Sequence, residues 1–272
     1  MSGGSVLLAT AGFAFGAMFA LWVVSLIRRD ASIVDPWWGP GFAGIAALAF
    51  ALAPEPGARG ALLLTMVMLW ALRLGGYLLW RNRGHGEDPR YARMRAHHGA
   101  RFPFVSLATV FALQGALQWL ISLPLQVAVL WPGNAPLGWL DAGAVVLFAV
   151  GLTFESVGDW QLARFKADPA QRGRVMDRGL WRYTRHPNYF GDCVAWWGLW
   201  LLAASTPYGL PTVFAPALMS FLLLRVSGVP MLERGLEKTR PGYRDYVERT
   251  SGFFPWFPRR APLPSNGPED VR

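Results

Sequence analysis

The chain is poor in the residues that build most soluble active sites. Its 272 residues include one cysteine, Cys193, and four histidines. A single cysteine excludes an intrachain disulfide and a thiolate metal cluster. His85, His97, His98 and His186 fall in no metal-ligand spacing, so no metal is expected. Charge is scarce as well: 16% of residues are Asp, Glu, Lys or Arg, against roughly 25% in a soluble domain. Four stretches, 2–27, 36–54, 102–140 and 193–224, carry no charged side chain. Crossing a bilayer takes about 20 apolar residues, so these runs predict an all-α, polytopic integral membrane protein. No internal repeat is visible. No basic segment precedes the first apolar run, so no cleavable leader is expected.

The two longest uncharged runs must each be divided. Pro124, with the segment 131–136 after it, ends one span, and Thr206, Pro207, Gly209 and Pro211 break the other. The reading is seven transmembrane helices, near 5–27, 37–53, 60–80, 104–128, 138–162, 190–205 and 211–232, the sixth being short for a full crossing. They form a single membrane-embedded domain over 1–258, followed by a disordered Pro-rich tail, 259–272.

Basic residues fall on one side of this arrangement. Segments 28–36, 81–103, 163–189 and 233–272 hold 23 of the 26 Lys and Arg. The positive-inside rule then predicts an outer N-terminus and a cytoplasmic C-terminus, as in a bacterial inner membrane. The net charge of +9 therefore belongs to one membrane face, with lipid as its partner, and nucleic acid is not needed to explain it.

One motif is rejected. Gly39, Gly41 and Gly44 satisfy G-x-G-x-x-G, yet no buried strand precedes them and Arg59 stands where a ribose-binding acid is required. Small residues at this spacing serve close helix packing in lipid.

Ionisable groups inside spans are costly and mark function by default. On the third helix Trp70, Arg73, Tyr77 and Trp80 share one face, either lining a cavity or pairing Arg73 with a carboxylate. Glu155 and Asp159 lie one turn apart on the fifth. They suit hydrogen bonding to a ligand, or a structural partner such as Arg73 or Arg225. Asp35, before Pro36, Trp37 and Trp38, reads either as a helix N-cap or as a carboxyl held protonated by burial. Gln114 and Gln118, one turn apart, either contact a polar ligand group or bond another helix.

The densest chemistry lies in 179–192, Gly-Leu-Trp-Arg-Tyr-Thr-Arg-His-Pro-Asn-Tyr-Phe-Gly-Asp. Arginines, an imidazole, an amide, phenols and a carboxylate crowd where the chain enters apolar surroundings. Guanidinium forks suit phosphates, and aromatic rings suit a flat heterocycle. The spelling from Arg185 to Asp192 resembles the cofactor segment of membrane sterol reductases and of the steroid 5α-reductase superfamily, in its bacterial branch. Asp159 to Lys166, Arg174, Asn82-Arg83-Gly84, Leu113-Gln114-Gly115, Tyr243 to Tyr246 and Phe254-Pro255 are similar to further family segments.

The resemblance implies NADPH as cofactor, contacted by Asn82, Arg83, Asp159, Arg164, Lys166, Arg174, Tyr183, Arg185, His186, Asn188, Tyr189, Asp192 and Tyr246. It also implies conjugate reduction of a hydrophobic enone entering from the bilayer, by default a Δ4-3-oxosteroid. The substrate cavity lies among the second, third and fourth helices, near Trp38, Trp70, Arg73, Gln114 and Gln118. Where the family has a catalytic Glu and Tyr, this chain offers Asp35 as the acid and Tyr77 as a displaced phenol. A looser Arg-His-Pro motif also occurs in isoprenylcysteine carboxyl methyltransferases. That makes a membrane S-adenosylmethionine-dependent methyltransferase the alternative, with a lipid-binding scaffold as a non-enzymatic third.

Overall fold

The computed structural model describes residues 1–133, 135–226 and 228–259. It is 79% helical, with no strand among the described residues. The chain divides into two compact units. One comprises Met1–Ala149 and Ala195–Met219, and the other comprises Val150–Val194 and the chain from Ser220 onward. The expected tail lies outside the described residues beyond Arg259.

Helices α1 (Gly3–Arg28), α2 (Val34–Leu52), α3 (Gly57–Asn82) and α4 (Pro89–His98) open the chain. A continuous rod, α5 (102–121), follows, with a π-helical stretch at Leu107–Ala112. Then come α6 (Leu123–Leu130), α7 (Trp139–Ala167), α8 (Pro187–Ala204), α9 (Leu210–Val226), α10 (Val229–Thr239) and α11 (Tyr243–Arg249). Among the described residues, four runs are long and apolar enough to cross a membrane: α1, α3, Pro89–Ile121 and α7. This makes the chain a helical membrane protein.

Local sequence explains the main boundaries. Ser2 caps α1 by accepting from the Ser5 N–H, and Arg29 closes it with a left-handed φ of 53°. Asp88 caps α4 by accepting from the Arg90 N–H, with Pro89 in the first turn. Three expectations need correction. The fourth span does not begin at 104, because helix already starts at Pro89 inside the supposed basic loop. Pro124 does not end a helix: α5 stops at Ile121, and Pro124 sits in the first turn of α6, where a missing N–H costs nothing. Asp35 is no N-cap either. Asp30 caps the preceding turn through Ser32, and Asp35 lies within the first turn of α2.

The first unit packs through its small residues. A Cβ built on Gly39 would sit 2.6 Å from the Ala71 carbonyl oxygen of α3, and one on Gly75 would meet the Pro40 ring at 2.9 Å. Gly41 faces the Gln118 amide and Gly44 the Phe13 ring, at 2.3 and 2.4 Å. The rejected dinucleotide glycines are thus contact points with three different helices. Phe42, Trp70 and Trp196 close the core, their ring centroids 4.7–5.8 Å apart in edge-on geometry. Each such pair contributes about 0.5–1.5 kcal/mol beyond area burial.

Several buried polar groups in this unit are paired, although the indole nitrogens of Trp37, Trp196 and Trp200 and Gln118 Oε1 have no hydrogen-bond partner among the described residues. Arg59, 5% exposed, forks onto Asp141 at 2.7 and 2.9 Å and also donates to the Pro132 and Pro136 carbonyls. Asp141 accepts in addition from the Gly138 N–H. Thr10 donates to Gln126 (2.5 Å), which donates to Ser122 (2.8 Å), linking α1 to α6.

In the second unit, α7 and α8 cross at backbone contact. A Cβ on Gly191 would lie 2.3 Å from the Glu155 nitrogen, and one on Gly158 would lie 3.2 Å from the Asn188 nitrogen. Glycine at these positions brings Asp159 and Asn188 within bonding distance.

Gly39→Ala should lower stability by about 1–3 kcal/mol, the usual cost of overpacking. Gly76→Ala, where a Cβ meets nothing within 4 Å, should be neutral or gain about 0.5–1 kcal/mol from helix propensity. Thermal unfolding of both variants in one detergent checks the contrast.

Candidate functional site

The 179–192 segment begins in a short 3-10 turn, Gly179–Arg182, and runs into α8 at Pro187. Gly179 has a φ of +57°, and a Cβ there would lie 2.4 Å from the Gln161 amide. Gln161 in turn accepts from the Leu180 N–H (3.0 Å), and the Trp181 indole donates to the Gly158 carbonyl (3.0 Å). The turn is therefore clamped to the end of α7, which fixes where Arg185 and His186 emerge.

Arg185 is the hub. Its Nε donates to Glu233 Oε1 at 2.9 Å, and its Nη1 donates to the Val247 and Thr250 carbonyls at 3.0 and 3.3 Å. Its backbone N–H donates to the Ser251 carbonyl. Glu233 Oε1 lies 2.9 Å from His186 Nε2 as well. The His186 contact, then the Arg185 charge, hold the Glu233 carboxyl below the usual range despite partial burial. With Glu233 ionised, the shared hydrogen belongs to Nε2. His186 is 2% exposed, and its Nδ1 is buried without a hydrogen-bond partner. Tyr189 stacks on the ring, 5.7 Å between centroids.

Two cavities adjoin these groups. The inner one, about 120 Å³, is lined by Leu162, Phe165, Lys166, Arg174, Trp181, Arg185, His186, Arg240, Tyr243 and Tyr246, among others. The outer cleft, about 470 Å³, is lined by Gln171, Arg174, Asp177, Arg178, Asp245 and Arg249, among others. They share Phe165, Arg174 and Val175 as a common wall. Asp177 is paired with Arg249 at 2.9 Å. Arg174, Arg178 and Arg240 have no carboxylate partner among the described residues. Burial pushes the Tyr243 hydroxyl up to about 12 and raises Tyr246 as well, so both stay neutral. Tyr246 donates to the Trp181 carbonyl at 2.5 Å. The result is an aromatic-walled chamber with surplus positive charge, chemistry suited to a heterocycle bearing phosphates.

Of the expected cofactor residues, Lys166, Arg174, Arg185, His186 and Tyr246 line the inner cavity together. Asn188 Nδ2 donates to Asp159 Oδ1 at 2.9 Å. Asp192 sits half-buried one turn further along α8. Arg164 and Tyr183 line neither cavity. Arg164 lies 5.1 Å over the exposed Trp160 ring, and Tyr183 meets Phe257 at the surface. Asn82 and Arg83 belong to the first unit, at the exposed end of α3, where Asn82 accepts from Arg81.

The first unit carries the second cluster. Asp35 Oδ1 accepts from the Tyr91 hydroxyl at 2.9 Å, and Oδ2 accepts from Arg90 Nη2 at 2.6 Å. Arg90 also holds Asp88 at 2.9 Å. Trp38 donates to Gln114 at 2.6 Å, and Gln118, fully buried, donates to the Trp38 carbonyl at 3.1 Å. Gln118 thus bonds another helix. Trp70 is 1% exposed within the aromatic core, so it lines no open stripe. Tyr77 is a cation–π partner of Arg73 and Arg81, 5.5 and 5.9 Å from its ring centre. The phenol on Asp35 is instead Tyr91, which sequence reasoning missed. Its signal was Asp88-Pro89, a cap followed by a first-turn proline, which starts a helix and fixes the face of Tyr91.

The chain belongs to the family described as protein of unknown function (DUF1295), which matches residues 21–250. That family includes steroid 5α-reductase-like proteins. An uncharacterized protein of Schizosaccharomyces pombe is 25% identical, over 86% of this chain and 75% of its own length. A probable O-methyltransferase, ustE, of Ustilaginoidea virens is 31% identical over 99 residues, 33% of this chain and 35% of its own. No solved structure matches.

Glu233→Gln should destabilise the protein by about 1–3 kcal/mol near neutral pH, since Arg185 and His186 lose a charged acceptor. Because the folded pKa is depressed, the stabilisation is complete above the ordinary glutamate value near 4.5. It is lost as pH falls through the lower folded value. Unfolding temperatures of wild type and variant should therefore converge only once the pH has fallen below the ordinary glutamate value.

Proposed function

We propose that the protein is an NADPH-dependent membrane reductase that saturates the conjugated C=C of a hydrophobic enone, of which a Δ4-3-oxosteroid is the type. The observation that carries this reading is the pair of adjoining cavities in which Arg174 and Arg240 make no ion pair among the described residues and stand beside aromatic walls. A dinucleotide presents phosphates and flat rings together, and the buried His186 Nδ1 has no hydrogen-bond partner among the described residues. When bound, NADPH supplies hydride to the β-carbon of the enone.

The chain's own contribution is at the carbonyl. As charge develops on that oxygen, a hydrogen-bond donor fixed in apolar surroundings lowers the barrier. Tyr91 is positioned by Asp35, which Arg90 anchors in turn; on enone binding its single hydroxyl hydrogen turns from Asp35 Oδ1 to the carbonyl oxygen, so the phenol is the donor and the carboxylate its orienting partner. The enolate then takes its α-carbon proton from water. Trp38 and Gln114 flank the pair as substrate contacts. In topology, we propose seven crossings with the N-terminus outside and the tail in the cytoplasm. α2, α8 and α9 are the shorter spans, and the basic segments lie on the inner face.

A second reading is favoured by one observation, the match to a probable O-methyltransferase: a membrane methyltransferase using S-adenosylmethionine. That cofactor carries no phosphate and leaves the free arginines without a task.

Titration of detergent-solubilised protein should raise the unfolding temperature with NADPH and not with S-adenosylmethionine. The opposite result moves the assignment to the methyltransferase. Arg174→Ala should weaken NADPH binding about tenfold or more, the loss of one charge-assisted contact. Tyr91→Phe and Asp35→Asn should lower enone-dependent NADPH oxidation by roughly 10²–10⁴-fold while keeping the NADPH-induced shift. Wild-type turnover in both variants removes the pair from the mechanism.

A further inference from the structure

The second unit exposes a compact aromatic surface that neither cavity uses. Phe254, Trp256 and Phe257 are 72%, 72% and 75% exposed. They lie on one short strap that is stitched to the 183–186 loop at several points. Trp256 N–H donates to the Tyr183 carbonyl (2.9 Å), and Thr184 Oγ1 donates to the Phe253 carbonyl (2.7 Å). Arg185 N–H donates to the Ser251 carbonyl (2.9 Å). The rings are thus held outward by fixed backbone, and water is a poor solvent for them.

Charge identifies what covers them. Arg182, next to Tyr183, and Arg259, whose N–H donates to the Arg249 carbonyl, are exposed and have no carboxylate partner among the described residues. A second aromatic–cation anchor lies in the same unit, where Trp160, 56% exposed, carries Arg164 on its ring. It sits near the end of α7, a helix long enough to span a bilayer. Tryptophan and other aromatics settle at the headgroup level, and adjacent arginines select anionic lipid.

We propose that the strap 253–257 is seated in the headgroup layer of an anionic leaflet, its rings at the acyl boundary and Arg182 and Arg259 on lipid phosphates. Because the strap and the Arg185–His186 loop share hydrogen bonds, the bilayer itself helps hold the candidate site in shape. This assignment stands whichever cofactor the cavity takes.

The test is spin-label depth in nanodiscs, using the full chain with the buried Cys193 replaced by alanine. A nitroxide at Phe257→Cys, and independently at Phe254→Cys, should collide with dissolved oxygen more than with a water-soluble nickel chelate. A label at Arg172→Cys, on an exposed turn, should do the reverse. Adding Arg182→Gln and Arg259→Gln should shift the strap labels toward nickel in phosphatidylglycerol-containing discs and leave them unchanged in pure phosphatidylcholine. Strap labels as nickel-accessible as position 172 overturn the proposal. No response to the arginine changes in anionic discs overturns its headgroup part. Neither readout depends on NADPH, so failure here is distinct from failure of the reductase reading.

Discussion

Arg185 ties three parts of the second unit into one piece. A largely buried guanidinium left without partners costs several kcal/mol, and here its donors are spent on Glu233 of α10 and on the carbonyls of Val247 and Thr250 at the end of α11. Through Glu233 the same charge sets the hydrogen on His186 Nε2. The loop that turns into α8, the helix carrying Glu233 and the chain around Ser251 are therefore mutually dependent. The cavity beside them exists because this knot holds its walls apart.

Against that knot, the cations that remain unpaired become informative. Arg59, Arg90, Arg95 and Arg185 each bind a carboxylate within 3 Å, which is what desolvated charge requires. Arg174, Arg178 and Arg240 line cavities without such a partner. Arg174 and Arg178 are exposed and Arg240 is half-buried, so water solvates them, and they form a cationic rim open to an anion rather than charges the fold must neutralise. The first unit follows the same economy with a different result. Asp35 is paired, yet its partners are a phenol and a guanidinium that present donors on one side, an arrangement suited to steady a developing negative charge.

Membrane character and the packing role of the glycines were legible in the chain because each rests on local pattern. Uncharged runs announce spans, and Gly39, Gly41 and Gly44 without a following acid announce close contacts. The grouping of Lys166, Arg174, Arg185, His186 and Tyr246 was also within reach, since a resemblance carries spatial information that periodicity lacks. What escaped was long-range pairing. Nothing around Tyr91 says that its hydroxyl meets Asp35, 56 positions earlier, and Tyr77 seemed the better phenol only because its helix was obvious. Pro124 misled for a related reason: a proline marks a helix boundary without saying on which side the helix lies. Arg164 and Tyr183 belong to the right segment but turn to the surface, a distinction that depends on which face α7 buries.

On the proposed reading, one small protein serves a polar cofactor and a greasy substrate. Phosphates favour a wet, cationic rim, whereas an enone dissolved in lipid favours an apolar wall. The clamp of Gly179 on Gln161 and the backbone contact of Gly191 with α7 fix the cationic rim by sterics alone. Where aromatic rings then meet the headgroup layer, the bilayer supplies a further restraint that no side chain in the chain needs to provide. Rigidity at the rim and solvation by lipid are thus complementary, and the glycine contacts bring α8 close enough to α7 for Asn188 to bond Asp159.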